Sequence, residues 1–483
     1  MKTPINRRQF LRNSAAAGSV FLSMPNLLTF AANSNPSPLI SPGCRTSKVK
    51  VARLYMGNPN NPYWPKPKLD LKKEIKLYES QFAKLKNQLA DVDFTVDQLV
   101  SSPDQIDKLE SKLADVDGIL VIHMTMLTGP ILDRILKLQK PTAVFARPYS
   151  GHQWTRFGYL REQQAGKKMT CFLTSDYSQL AAAIRPFRGI HHLREAKILN
   201  LAERSFDEYA QQIKEKFGTE HKIITLKRLV DTYNSIDDKI AQQVTEQWIK
   251  NAVSVVEPSA EDVFKSCKLG LALQKLIDQE NAIAITVDCY GTMYDPKKRT
   301  IKLPAYPCVG FSMLNNAGFG GICESDIQSA LTHILYQGLV GKPGFINDPT
   351  MDESQNSIIM AHCTAATKMD GLDKPAAPYK LRDVMEREEG VVMHVKMNIG
   401  QKVTNARFIG TDVMRYFTGT IIGTPYIDRG CRTKINVKID GDAAKLWNNW
   451  AGGLHRVTCY GDLTKELQQF CRFKDIELIN EAT

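Results

Sequence analysis

No Cys-x-x-Cys pair occurs anywhere in this 483-residue chain, although it carries ten cysteines. That absence argues against the zinc knuckles whose ligands sit two residues apart. Ten cysteines in so long a chain are also too few for a disulfide scaffold, and Cys289, Cys308, Cys323 and Cys363 fall near apolar segments, so they read as small buried residues. Equally absent is a block rich in Lys and Arg with interleaved aromatics, so no nucleic-acid partner is expected despite a formal net charge of +12. The excess is spread thinly, and Lys2, Arg7, Arg8 and Arg12 supply part of it in a stretch, 1–32, that holds no acid. The apolar run there is broken by Ser23 and Pro25 and is too short to be a convincing membrane span.

What that N-terminus does have is "NRRQFLRNSAAAGSVFLSMPNLLTFAA", a twin arginine at Arg7-Arg8 followed by Phe10-Leu11 and a modest apolar stretch. It resembles a twin-arginine export signal over 1–32, which implies handling by the twin-arginine machinery, folding before export and a periplasmic destination. Proteins that fold first acquire their shape among reduced thiols, in keeping with unpaired cysteines. Cys44 in "SPGC" sits too far along, after a proline, for a lipoprotein. An uncleaved basic anchor is the alternative.

Hydrophobic content of 43% and charged content of 24% are ordinary for a soluble globular protein, and the length suits two to four domains. Residues 33–47, "NSNPSPLISPGCRTS", form a Ser/Pro/Asn-rich linker. From 48 to 185, strand-like runs at 50–56, 93–100, 117–124 and 141–147 alternate with helical stretches, as between 68 and 88. This pattern predicts a parallel sheet covered by helices on both faces. A second α/β unit, 186–364, has strands at 196–202, 221–226 and 282–288 and long helices near 233–252 and 260–280. No repeat links the two halves. From 365 to 483, short β runs broken by Gly, Asp and Asn predict an antiparallel, barrel-like β domain. The fold class is therefore α/β: two open parallel-sheet domains followed by a C-terminal β domain.

The candidate chemistry starts at "GFGGICESDIQSAL", 318–331. Gly318, Gly320 and Gly321 allow tight turns and close approach. The apolar face of Ile327, Leu331, Ile334 and Leu335 predicts a helix after Ser325, with Asp326 explained by its dipole and His333 a satisfied histidine. Glu324 falls at the turn, where the carboxyl edge of such a sheet presents ligands. In "GFINDPTMDESQNSIIMAHCT" one strand is predicted to end at Asp348, fixed by Pro349, and another to end at His362-Cys363. His455 follows a glycine pair and opens a strand in "LWNNWAGGLHRVTCYGD", shortly after Trp447, Asn448 and Trp450. Each residue alone has a bland reading as a turn or strand-end group. Together Glu324, Asp348, His362 and His455 offer two carboxylates and two imidazoles. That mix suits a divalent ion such as Mn²⁺ with open positions; Mg²⁺ prefers more oxygens, and zinc remains open on affinity.

The path "CYGTMYD … PAYPCVGFSMLNNAGFGGICESDIQSALTHIL … GFINDPTMDESQNSIIMAHC", with the ending "LHRVTCYGDLTKELQQFCRFKDIELI", resembles the L-fucose/L-arabinose isomerase superfamily. The resemblance implies the same domain order, Mn²⁺ or another divalent ion held by Glu324, Asp348, His362 and His455, and homo-oligomers. It implies aldose–ketose isomerisation of a free or modified monosaccharide, with Glu324 and Asp348 exchanging protons through an enediol. Asp348 matches the fucose branch and His362 the arabinose branch. Trp447, Asn448 and Trp450 are candidate sugar contacts. A non-catalytic periplasmic carbohydrate-binding protein is the competing expectation, since two α/β domains around a cleft also build that class.

Overall fold

The computed structural model describes residues 47–61, 68–151, 154–202, 206–289 and 303–483. The export-signal stretch 1–32 and all but Ser47 of the linker lie outside them.

Strands Val49–Met56 (β1), Val92–Val100 (β2), Gly118–His123 (β3), Thr142–Ala146 (β4) and Met169–Leu173 (β5) form one parallel sheet in the order β2-β1-β3-β4-β5. Every residue of β3 and β4 is buried, because helices cover both faces and leave no polar side to alternate with. The first helix, Leu71–Lys84, begins where the Asp70 carboxylate accepts from Lys73 N at 3.1 Å, and it buries Leu71, Tyr78 and Phe82. β5 has no counterpart in the sequence reading; it pairs only with β4 at the sheet edge, and its exposure rises towards Leu173.

The second parallel sheet begins with Lys197–Leu201 (β6) and Glu220–Ile224 (β7). The short strand Ser254–Val255 (β8) leaves it, and Ala284–Val287 (β9) and Gly320–Cys323 (β10) complete it in the order β10-β9-β6-β7. The helix expected over 233–252 is two helices, Leu226–Asn234 and Asp238–Asn251. The break falls where Asp237 takes an extended conformation and caps the second helix through Lys239 N and Ile240 N. Ala260–Glu280 opens with a reciprocal Ser259/Asp262 capping box.

The remaining strands are Phe345–Asp352 (β11), Ser357–His362 (β12), Tyr379–Val384 (β13), Glu389–Val395 (β14), Lys402–Ile409 (β15), Val413–Gly423 (β16), Thr433–Ile439 (β17), Arg456–Tyr460 (β18) and Glu477–Asn480 (β19). Six of them, in the order β15-β18-β11-β12-β17-β16, close into an antiparallel barrel through the β15–β16 pairing, with β19 parallel on β16. β13 and β14 join β8 in a small separate sheet. The α/β-plus-β-barrel architecture is thus as expected, with two differences in detail. β11 and β12, grouped by the sequence with the α/β stretch 186–364, hydrogen-bond into the barrel. β11 also does not stop at Asp348. It runs on to Asp352, because Pro349 faces β12 in a register that continues through Met351↔Ile358.

Helix Ile327–Val340 joins the second sheet to the barrel and is buried along almost its whole length. Tyr336 Oη donates to Val457 O at 3.1 Å, and Phe408 N donates to Thr332 Oγ1 at 3.1 Å. His333 is the satisfied core histidine expected of it: its ring nitrogens lie 3.1 Å from Gly344 O and 3.2 Å from Phe319 O, and burial pushes its pKa down to about 4. No helix among the described residues is long and apolar enough to cross a membrane.

Candidate active site

Glu324 is presented by an unusual turn. β10 ends at Cys323, and both Glu324 (φ +62°) and Ser325 (φ +53°) are left-handed before the next helix begins. Such conformations cost non-glycine residues about 1–2 kcal/mol each. Local bonds hold the turn. Ser325 N donates to Val287 O at 3.2 Å, Asp326 N to Cys323 O at 3.2 Å, and the Ser325 hydroxyl to Asn200 Oδ1 at 2.7 Å. On the other side of β10, buried Asn315 hydrogen-bonds both backbone groups of Gly321 (2.7 and 3.1 Å) and reaches Thr364 O at 3.0 Å. It acts on the sheet edge as a neighbouring strand would. Gly321 is required there, since a Cβ would fall 2.5 Å from the Phe311 Cα.

The other three groups come from the barrel. β11 pairs with β18 only as far as Asn347↔Arg456, then continues with β12 alone. Asp348 is therefore the first residue past the last β11–β18 pair, and His455 the residue just before β18 on the neighbouring strand. His362 closes β12. Three barrel strands and the sheet edge thus deliver four side chains to one place. His362 Nε2 lies 3.6 Å from Glu324 Oε1 and 4.0 Å from Asp348 Oδ2. His455 Nε2 lies 3.2 Å from Asp348 Oδ1 and 3.6 Å from Glu324 Oε2. The two rings meet edge to face with centroids 5.4 Å apart. Both histidine side chains are almost wholly buried, while Glu324 and Asp348 keep 24% and 35% of theirs exposed to the cavity side.

Asp326, read from the sequence only as a helix-start acid, does two jobs. It caps the helix, accepting from Ser329 N at 3.0 Å, and its Oδ2 lies 2.8 Å from His455 Nδ1. Arg407 of β15 forms a buried ion pair with the same carboxylate. Burial alone would raise the Asp326 pKa, but the His455 hydrogen bond and the Arg407 guanidinium hold it far below the usual carboxylate range. With Nδ1 committed to Asp326, His455 turns Nε2 towards Glu324 and Asp348. Burial opposes charge on His455, yet Asp326 and Asp348, with Glu324 behind them, lift its pKa to about 10. His362 is raised in the same way, its burial outweighed by Glu324 and other anionic neighbours. Asp348 is lowered, its burial outweighed by the two imidazoles.

The donor chemistry suits a cation. Asp348, His362 and His455 each offer a ligand atom within 4.8 Å of the others, and Glu324 does so with His362 and Cys323. Both ring nitrogens of His362, Nε2 of His455 and Oδ1 of Asp348 are buried without a hydrogen-bond partner. Buried polar atoms left this way are costly, and a divalent ion would satisfy the three that converge, Nε2 of each histidine and Oδ1 of Asp348.

Glu324, Asp348 and His362 open onto a cavity of about 460 Å³, lined also by Tyr306, Val384, Glu386, Leu454 and five cysteines. Glu386 is a third carboxylate, at the rim, which the sequence did not single out. It follows β13 in a four-residue turn with no motif around it. Its pKa is raised by burial and then by the charges of Asp348 and Glu324. Trp447, Asn448 and Trp450 are not brought to the acids and are not among the cavity-lining residues. Trp447 is 60% exposed on the short helix Ala443–Asn449. The Asn448 amide donates to Ala444 O, and Trp450 covers the Arg456 guanidinium at 3.9 Å and donates to Gly453 O. The Asn448 amide and the Trp450 indole are thus engaged locally, and Trp447 faces solvent.

The fold and the site define a three-part α/β and β-barrel protein with a two-carboxylate, two-imidazole centre at the seam between sheet and barrel. No protein-family profile matches the chain. Among curated proteins it is similar to the sulfoquinovose isomerase of Clostridium sp. (strain MSTE9), 25% identical over 252 residues. The match covers 46% of this chain and spans about half, 54%, of the relative.

Proposed function

We propose that this protein is a carbohydrate isomerase that interconverts an aldose and a ketose at a divalent-metal centre. The observation that carries the reading is the meeting of Glu324, Asp348, His362 and His455 in one cluster beside a cavity, with buried nitrogen and oxygen atoms that lack partners. The partial likeness to a sulfoquinovose isomerase supports the same class. Its substrate is one candidate in a panel of plain and modified sugars.

Glu324, Asp348, His362 and His455 would hold the ion, Mn²⁺ by preference of the mixed oxygen and nitrogen set. Bound there, such a cation supplies polarisation of the carbonyl and adjacent hydroxyl of an open-chain sugar. The side chains do the rest. Glu324 and Asp348, each within 4.0 Å of the Nε2 of both imidazoles, carry the proton between C1 and C2 and exchange the hydroxyl protons of the enediol. Asp326 keeps His455 in one orientation, with Nε2 facing the reacting atoms. Export through the Arg7-Arg8 segment is part of the same proposal and places the substrate outside the cytoplasm.

The test is proton NMR of aldoses and ketoses, sulfoquinovose included, incubated in D₂O with the Mn²⁺-loaded chain and recorded after chelation. Isomer signals, or metal-dependent loss of a proton beside the carbonyl, are expected. Both should vanish in Glu324→Gln with sugar binding retained. A chain that binds a sugar but neither exchanges nor isomerises it would instead be a carbohydrate sensor.

A further inference from the structure

Five of the ten cysteines, Cys289, Cys308, Cys323, Cys363 and Cys431, face the cavity onto which Glu324, Asp348 and His362 open. Nothing in the isomerisation uses a thiol, so their gathering at one wall is not explained by that activity. Two of them are closer than packing requires. Cys323 ends β10 and is paired in register with Val287 on β9, and Cys289 lies two residues past Val287. Their sulfur atoms are 3.0 Å apart, and both side chains are buried except where they meet the cavity. All nine cysteines among the described residues are free.

We propose that Cys289 and Cys323 form an oxidisable pair whose disulfide displaces Glu324 and weakens the metal centre. The proposal rests on the reading of Glu324 as a ligand. Cys289 is offset by two residues from the Val287 that faces Cys323, so the pairing rests on the 3.0 Å sulfur contact and not on the strand register. Forming the bond, about 2.05 Å long, needs roughly 1 Å of approach from where the sulfurs now sit. That approach falls on the residue directly before Glu324, whose left-handed backbone is fixed by the Ser325–Asn200 and Asp326–Cys323 bonds. A shift of Cys323 is therefore transmitted to the carboxylate rather than absorbed.

The oxidant is a small peroxide able to enter the cavity. One thiol sulfur attacks a peroxide oxygen; the O–O bond breaks, water leaves, and a sulfenic acid remains. The second thiol attacks that sulfur, the S–S bond forms, and a second water leaves. Two S–H hydrogens depart in all, and the peroxide is the species reduced. A dithiol reverses the change by exchange.

The experiment uses the full chain, reduced, then treated with hydrogen peroxide, alkylated and mapped by mass spectrometry without reduction. A reversible cross-link joining Cys289 to Cys323 is expected. Mn²⁺ affinity, read by electron paramagnetic resonance of the free ion, should fall roughly tenfold or more on oxidation and return with dithiothreitol. Cys289→Ser, with Cys289→Ala as a second variant, should bind Mn²⁺ and keep that affinity in peroxide. Absence of the cross-link, cross-linking confined to Cys308, Cys363 and Cys431, or a Cys289–Cys323 bond that leaves Mn²⁺ affinity unchanged overturns the proposal. A reduced chain that binds no Mn²⁺ would sink the link to the metal centre and the proposed function together, while the peptide map still decides whether the pair oxidises.

Discussion

Replacing Asp326 by asparagine removes one negative charge from beneath His455 while leaving the side chain's shape almost unchanged. The N-cap survives, because asparagine accepts from Ser329 N about as well as aspartate does. What is lost is the charge that Arg407 and His455 share. Arg407 keeps its bonds to Gly452 O and Gln328 Oε1, both at 3.2 Å, so its guanidinium is not left bare. The stability loss is therefore below the ~3–5 kcal/mol of a fully orphaned buried charge, about 2 kcal/mol for a weakened charged hydrogen-bond set. The site should suffer more visibly. Without the carboxylate on Nδ1, His455 is free to flip or change tautomer, and partners of this kind are worth roughly 10–100-fold in metal affinity. Arg407→Met supplies the control. It removes the ion pair but leaves His455 Nδ1 on Asp326, so it should destabilise the fold comparably and cost much less Mn²⁺ affinity. Urea denaturation and Mn²⁺ titration of both variants are the assays. A folded Asp326→Asn protein that binds Mn²⁺ like the parent would show that Asp326 does not orient a ligand. Equal affinity losses in both variants would assign the effect to the fold.

Gly321→Ala should be among the most damaging small changes, since its Cβ would lie 2.5 Å from Phe311 Cα and 2.6 Å from Phe311 O, both backbone atoms that cannot swing away. Overpacking of this kind costs typically 1–3 kcal/mol, and displacement of β10 should remove Mn²⁺ binding with it; a variant with parental melting temperature and affinity would contradict the close approach. Acid should weaken the fold through His123 and His333, whose burial pushes both pKa values down to about 4. Because the folded values are depressed, their contribution is complete above pH ~6.5 and is lost as the pH falls from there towards 4, by about 3 kcal/mol per histidine. Urea midpoints between pH 7 and 5 measure this, and His123→Gln should flatten the slope; an unchanged slope would mean that His123 is not held neutral by the fold.

Much of the fold was legible because its signals are local. β1, β3, β4, β6 and β9 are short, mostly apolar runs, and the helices at 71–84, 260–280 and 327–340 carry caps and periodicity within their own sequence. β5 (MTCFL) was missed although its run is as apolar as that of β4 (TAVFA); its edge position and exposed end are tertiary features. β11 was cut short because Pro349 reads as a stop, whereas the ladder with β12 tolerates a residue without a donor at that place. Glu324, Asp348, His362 and His455 could be picked out as chemically capable groups at element ends. Their supporting residues could not. Arg407 meets Asp326 across 81 residues, Asn200 meets Ser325 across 125, and Arg407, Asn200 and Glu386 stand in no motif. Trp447 and Trp450 looked like sugar walls because they precede His455 in the chain. Yet the glycines between, Gly452 (φ +76°) and Gly453 (φ +117°), turn the chain, and Trp447 ends exposed while Trp450 is half-buried over Arg456.

The division of labour between sheet and barrel explains why the site needs its strained turn. Three of the four groups ride on barrel strands whose positions are fixed by ladders, so their geometry follows from closure of the barrel. Glu324 comes from a different layer and must be aimed at them. The helix after it is the device that ties the layers together: its first residues bind His455 and Arg407 through Asp326, and its later ones bind β15 and β18 through Thr332 and Tyr336. A relaxed strand-to-helix turn would let Glu324 settle wherever β10 ended. Two consecutive left-handed residues, clamped by Asn200 on one side and by Asn315 along β10 on the other, leave it one direction. The left-handed pair costs a few kcal/mol at most, and burial of the joining helix against the barrel offsets it. The same clamp that aims the carboxylate also leaves it exposed to any movement of Cys323.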